Sequence, residues 1–418
     1  MGGKASIIVI IGFMSVLSLY QLNLSKKINS AYDSFDQSYM KAIIHESALT
    51  AMNFGVNRLW QTETCPDSFN IYASGCTSKV NIVSLGLDSI KVLVKTRGYM
   101  FDEVHYAQTN QLLLVEDSLY SYFCFNTPAS RFFWFTNTEG SVYWITGDTV
   151  WGPLHTNNYL NTSGYPVFYG KVTARRGISP SPTSSSNHAK YYGGWEVGIN
   201  SSVPTNMTTL VNAAMAAHGS NPVNTMCYYN QNISLNFQSN GDVIRTVGSN
   251  PPDTVSISTI APTGAIYCTQ QVRVKGVFNG QLTIYSLGNL WIDDDIVYAD
   301  NPQTNPNSDD LLGLVSNQNI IITDNTANNS SVVINATVMA VNGSFYAQNY
   351  SSRPVAGTLT MLGGIIQNTR GAVGTFSSYT GNIISGFSKR YYFDNRLRSM
   401  SPPYYPFVRY LKLVAWWE

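Results

Sequence analysis

The sequence predicts a mainly β protein that begins with one long α-helix: a helix over residues 1–60, a small antiparallel sheet over 61–117, and a right-handed parallel β-helix (solenoid) head over 118–418. Three observations predict it. An apolar run opens the chain at residue 5; no Gly or Pro stands between Gly12 and Gly55; and from about residue 79 the hydrophobic period falls from three or four to two.

Composition narrows the function classes before any motif is read. Only 12% of the 418 residues are charged, against roughly 25% in an average soluble domain, and 25 basic residues nearly cancel 24 acidic ones. That balance leaves no electrostatic footprint for nucleic acid or an anionic membrane surface. Asn, Ser, Thr and Gly, with 27 Tyr, 18 Phe and 8 Trp, take the place of charge and read as a hydrogen-bonding, exported β surface. The aromatic residues gather in "AKYYGGW", "KRYYF", "PPYYPF" and "AWWE", patterns that serve subunit interfaces and sugar-stacking surfaces alike.

The first element falls into two halves. Residues 5–24 are near the roughly 20 apolar residues that span a bilayer, and no A-x-A cleavage site follows them, which argues against a discarded secretory peptide. Two fates are left: an anchor that stays in the membrane, or a helix that leaves it to join a polymer. Ile7, Ile8, Ile10, Ile11, Phe13, Met14, Val16, Leu17, Leu19 and Tyr20 form the greasy surface of this hydrophobic half, residues 1–25. Ser6, Ser15, Ser18, Gln21 and Asn23 interrupt it, and side chains of that kind are expected to find partners on neighbouring helices. Beyond Lys26 and Lys27 an apolar stripe runs through Ile28, Tyr32, Phe35, Tyr39 and Ala42, then Ala48, Met52, Gly55 and Leu59. Steps of three and four mark one buried face of a helix, so residues 26–60 are expected to rest on the chain's own domain. Lys4 and the terminal amine on one side nearly balance Lys26 and Lys27 on the other, so the orientation rests on composition, which puts the bulk of the chain outside.

Strands are expected at residues 79–83, 89–100 and 103–116, a small antiparallel sheet covering the helix's amphipathic half. Cys65 and Cys76 bracket "PDSFNIYASG", and a disulfide closing so short a loop would contribute about 3 kcal/mol. Cys124, Cys227 and Cys268 complete the set, and no C-x-x-C spacing points to zinc or thiol redox chemistry. After residue 118 the one helical pattern lies at residues 209–219. Elsewhere short segments such as "LTIY", "NLWI", "NIIITD", "SVVINATVMAV" and "GTLTML" alternate with Asn and Gly corners. Such corners suit stacked coils of a parallel solenoid; a β-sandwich is the competing reading, because short strands alone do not decide parallel against antiparallel pairing.

Candidates for chemistry are few. Asp293, Asp294, Asp295 and Asp300 in "WIDDDIVYAD" form an acidic cluster, and Asp293 with Asp295 would take calcium as a hard cation or act as a glycan-cleaving carboxylate pair. Alternate strand residues face opposite ways, and no EF-hand or RTX spacing is present, so a solvated turn is the plainer expectation. His155 in "GPLHTN" lacks a nearby nucleophile and is expected to be a turn histidine bonded to backbone. No Walker, Rossmann or kinase pattern occurs, and the chain is expected to be neither an enzyme nor a cofactor carrier.

The long helix, and its close "ESALTAMNFGVNRLW" at residues 46–60, resemble the N-terminal helix of type IV pilin-like proteins, in particular the large minor pilins. The resemblance implies an apolar half that sits in the inner membrane before assembly and then packs in a filament core with copies of itself or other pilin-like subunits. Members of the family are cut after a Gly that Phe or Met follows; were Gly3, followed here by Lys4, the processing point, the mature chain would begin at Lys4. Its fifth residue is then Ile8, where the family places Glu. Residues 143–173, "YWITGDTVWGPLHTNNYLNTSGYPVFYGKVT", with later segments through "YYFDNRLRSMSPPYYPFV", resemble bacterial surface proteins of the large pilin-like type with an uncharacterised solenoid head. The expectation is a structural subunit of a cell-surface or extracellular filament. An anchored adhesin for glycans or surfaces is the alternative, and a membrane-anchored carbohydrate-active enzyme stands behind it.

Overall fold

The computed structural model describes the whole chain except residues 1, 63–65, 86–88, 101–102, 110, 378–381 and 418. It is mainly β with one long N-terminal helix, and its contacts divide it into two compact units. One comprises residues 1–126 and 411–418, the other residues 127–410.

The first unit opens with α1, Gly2–Thr62, an unbroken helix whose interior holds no Pro and no Gly between Gly12 and Gly55. Three strands follow, β1 (Asp67–Ala73), β2 (Cys76–Ser84) and β3 (Ser89–Met100). Ser74 and Gly75 both take positive φ between Ala73 and Cys76, the conformation that lets a two-residue turn follow the right-handed twist of its strands. Each strand pairs antiparallel with the next, and β3 pairs with β4, Leu113–Pro128. The C-terminal strand Phe407–Trp417 completes the sheet beside β4. Along β2 burial alternates, with Cys76, Ser78, Val80 and Ile82 inward, as expected of a sheet with one covered face. What covers it is the second half of α1: Ala48, Ala51, Met52 and Leu59 pack on Val80, Ile82, Val92, Val94, Leu119 and Phe123.

Two expectations change here. Residues 103–116 are not one strand, because Glu103–Thr109 is a short helix, α2. The register explains it: Met100 already faces Leu113, so the residues between them form the connection. The division between the units also falls at Asn126 instead of near Asp117, because β4 continues through Asp117 opposite Thr96.

In the second unit the pairing is predominantly parallel. Gln281–Ser286 pairs parallel with Leu311–Ser316, Val332–Ala340 with Val355–Thr369, and the latter with Ile383–Phe393. Inward positions are Ile, Leu and Val at successive levels, among them Ile284, Leu314, Val338 and Ile365, in one continuous core. Near one end Ile233–Phe237 pairs antiparallel with Asp242–Val247, which pairs antiparallel with Asp253–Ser256. The predicted helix is present as Thr208–His218.

The chain does not enter this array at an end. Trp134–Thr138, the unit's first strand, is bordered on one side by Leu154–Thr156 and on the other by residues 365–369 of Val355–Thr369. Thr149–Val150 likewise lies between Val167–Phe168 and Ile383–Phe393. Two stretches of chain far apart in sequence are therefore joined edge to edge.

Candidate functional site

The first candidate is the exposed part of α1. Residues 7–24 are exposed on all sides, with Ile8 71% and Phe13 70% accessible, in a helix apolar and long enough to cross a membrane. Ile7, Ile8, Ile10, Ile11, Phe13, Met14, Val16, Leu17, Leu19 and Tyr20 all present their side chains to the outside. Gly3 and Lys4 lie within the helix. Ser15 Oγ donates to the carbonyl of Ile11 at 2.8 Å, and Ser34 and Ser38 bond back one turn in the same way. A hydroxyl satisfied within its own helix needs no neighbour to tolerate an apolar medium.

The stripe beyond Lys27 is only partly covered. Ile28, Tyr32, Phe35 and Tyr39 are exposed, Phe35 and Tyr39 stacking with ring centroids 6.2 Å apart, while burial begins at Ile44. The expectation that residues 26–60 rest on their own domain holds for residues 44–59. Within that part His45 Nδ1 meets Asp117 Oδ2 at 3.0 Å, and Ser121 Oγ donates to Met52 Sδ at 3.2 Å.

The acidic cluster is drawn into the fold as hydrogen-bond acceptors. Asp293 receives two bonds from Arg273, Nε at 2.7 Å and Nη2 at 2.6 Å, and a third from Thr323 Oγ1 at 2.6 Å. Asp295 accepts the amide of Val333 at 2.8 Å, and burial raises its pKa above the ordinary value. Residues 293–295 sit where the ladder with Val272–Phe278 slips, Val274 facing Ile292 and Gly276 facing Ile296, so the carboxylates occupy a bulge. Among the described residues no three His, Cys, Asp or Glu side chains converge as metal ligands. Cys76 is a buried free thiol, its pKa raised by burial; Cys65, its expected partner, lies outside the described residues.

His155 is on a strand, not in a turn, and is buried. Its Nδ1 lies 2.8 Å from Thr173 Oγ1 on the adjoining strand and its Nε2 3.0 Å from Asn157 Oδ1, just past the end of its own strand. Burial lowers its pKa, and the Asn157 bond works the other way.

Sequence reasoning passed over the most heavily charged part of the interior. Arg370 Nη1 pairs with Glu139 Oε2 at 2.7 Å, side chains 2% and 0% exposed, and Lys389 Nζ pairs with Asp148 Oδ2 at 2.9 Å. Both pairs bridge the join of distant chain segments, with partners 231 and 241 residues apart. The Trp144 ring lies between the cations, 4.3 Å from the Arg370 guanidinium carbon and 5.5 Å from Lys389 Nζ. Burial lowers the pKa of Lys389, against the attraction of Asp148. The signal available was Arg370 itself, the only charged residue between Arg353 and Lys389.

No family model and no curated protein matches the chain. Among solved structures, it is similar to the competence-associated pilin ComZ from Thermus thermophilus, with 10% identity, a TM-score of 0.31, and coverage of 85% of this chain and 86% of that one.

Proposed function

We propose that the chain is a structural, pilin-like subunit of a cell-surface or extracellular filament, assembling through the apolar half of α1 with copies of itself or other pilin-like subunits. One observation carries this reading. A single continuous helix is exposed and apolar on every side over residues 7–24, yet is buried in its own sheet over residues 44–59. Each large apolar side chain left in water forgoes about 1.5–3 kcal/mol, so lipid or other helices must cover the first part while the sheet holds the second. In this reading the helix is in the inner membrane before assembly and in the filament core afterwards.

The head, in the same reading, winds as a right-handed parallel β-helix. Its support is the succession of parallel ladders in which inward positions carry Ile, Leu and Val at each level. The reading assigns the chain no catalysis and no cofactor. Calcium is left out because Asp293 already neutralises Arg273. Ile8 in place of a carboxylate, with processing after Gly3, favours a second reading, an adhesin permanently anchored in the membrane.

Negative-stain imaging of native surface material, with N-terminal sequencing of the protein in it, separates the two. Fibres containing a chain that starts at Lys4 or earlier support the filament. A helix-bearing chain found only as single anchored particles supports the anchor, and a chain lacking its first twenty-odd residues removes both.

A further inference from the structure

The join within the second unit borders an open cleft of about 690 Å³, within the roughly 300–1,000 Å³ range of small-molecule sites. Its walls come from both sides of the join, from residues between 141 and 146, which follow Trp134–Thr138, and from residues 370–374, which follow Val355–Thr369. Arg370, Lys389, Trp134 and Tyr391 line its interior, and Tyr143 and Tyr350 line it with exposed rings.

We propose that this cleft is a binding site for a neutral, pyranose-sized saccharide. The proposal is independent of the filament reading, since nothing in it depends on α1.

Charge comes first. The two cations at the cleft are each matched by a buried carboxylate, Arg370 by Glu139 and Lys389 by Asp148, so no formal charge is left over to hold an ion. An anionic ligand would have to displace a carboxylate that is already bonded, leaving it buried and unpaired, which costs several kcal/mol.

Hydrogen-bonding capacity comes second. Among the described residues Lys389 Nζ, with three N–H groups, makes one hydrogen bond, to Asp148. The hydroxyl of Tyr391 makes none among the described residues, while its ring stacks on Trp134 with centroids 6.0 Å apart. Ser141 and Ser163 add hydroxyls to the lining. Donors and hydroxyls fixed on a charge-balanced wall suit a ligand whose own hydroxyls both donate and accept.

Shape comes third. Tyr143 is half exposed and Tyr350 38% exposed, and amphipathic rings offer an apolar ligand face contact area at one end and a hydroxyl at the other. A sugar ring has that division, with C–H groups on its faces and hydroxyls at its edge. An apolar ligand would leave the phenol and the ammonium N–H groups not bonded to Asp148 without hydrogen-bond partners.

The test uses the full chain in a sugar-free detergent. The probes are the methyl glycosides of glucose, galactose, mannose and N-acetylglucosamine, together with glucuronate and galacturonate, followed by saturation-transfer NMR and equilibrium titration. At least one neutral glycoside should bind saturably, and Tyr143→Ala, at an exposed position, should weaken it about three- to tenfold, the size of one aromatic contact, with an unchanged melting temperature. Tyr391→Phe, which keeps the ring and removes the hydroxyl, should also weaken it. The proposal is overturned if no neutral probe binds or if neither substitution alters binding. It is overturned equally if a uronate binds more tightly than its neutral parent and loses that advantage in Lys389→Met.

Discussion

The two ends of α1 carry apolar residues at the same spacing and meet opposite surroundings. Ala48, Met52 and Leu59 are fully buried under the sheet, while Ile28, Tyr32, Phe35 and Tyr39, one stripe earlier on the same helix, are exposed. The difference teaches that three-four spacing reports a helix face and not what lies against it. Side-chain size separates the regions better. The covered part uses Ala48, Ala51 and Gly55, which let a helix approach a sheet closely, whereas the uncovered part presents large rings.

Three experiments break or sharpen this contrast. Deleting residues 1–24 has the largest expected effect: the remaining chain should become soluble without detergent, with its sheet and head folded, as judged by circular dichroism and gel filtration. A chain that no longer folds would show that the exposed half is part of the fold. Met52→Ala comes next. It empties a fully buried position between α1 and the sheet and should cost about 2–5 kcal/mol in chemical denaturation of the first unit. The smallest effect contrasts two glycines. A Cβ on Gly55 would stand 2.8 Å from Val80 Cγ1 and 3.3 Å from Val92 Cγ1, whereas one on Gly12 meets nothing within 4 Å. Gly55→Ala should therefore destabilise by about 1–3 kcal/mol. Gly12→Ala should leave stability unchanged or raise it by up to about 1 kcal/mol, so equal effects at the two glycines would erase the contrast.

Local features were legible wherever one residue's neighbours in sequence decide its state. The helix from Gly2 to Thr62 follows from a long stretch without Gly or Pro, whereas the strand Asp67–Ala73 was passed over inside a stretch read as a disulfide-closed loop. The strand expected at residues 103–116 failed because the alternation in "EVHYAQT" is short enough to suit a helical turn, and register, which is not local, decided it. The parallel sense of the head's ladders was likewise beyond periodicity. Among candidate sites, Asp293 and Asp295 drew notice as neighbours in sequence, yet their partners Arg273 and Val333 lie on other strands and Thr323 just past the end of one. Glu139 and Arg370 escaped notice for the converse reason: Arg370 stands out as a lone charge in its segment, but its partner lies 231 positions away in sequence and only the fold brings the two into contact.

Because Trp134–Thr138 is bordered by chain on both sides, the order in which the second unit can be completed is constrained. A nascent polypeptide emerging from its N-terminus presents this strand early, with one ladder edge satisfied by Leu154–Thr156 and the other bare until residue 365 arrives. Closing so large a loop is slow, and an unpaired edge held open meanwhile invites mispairing.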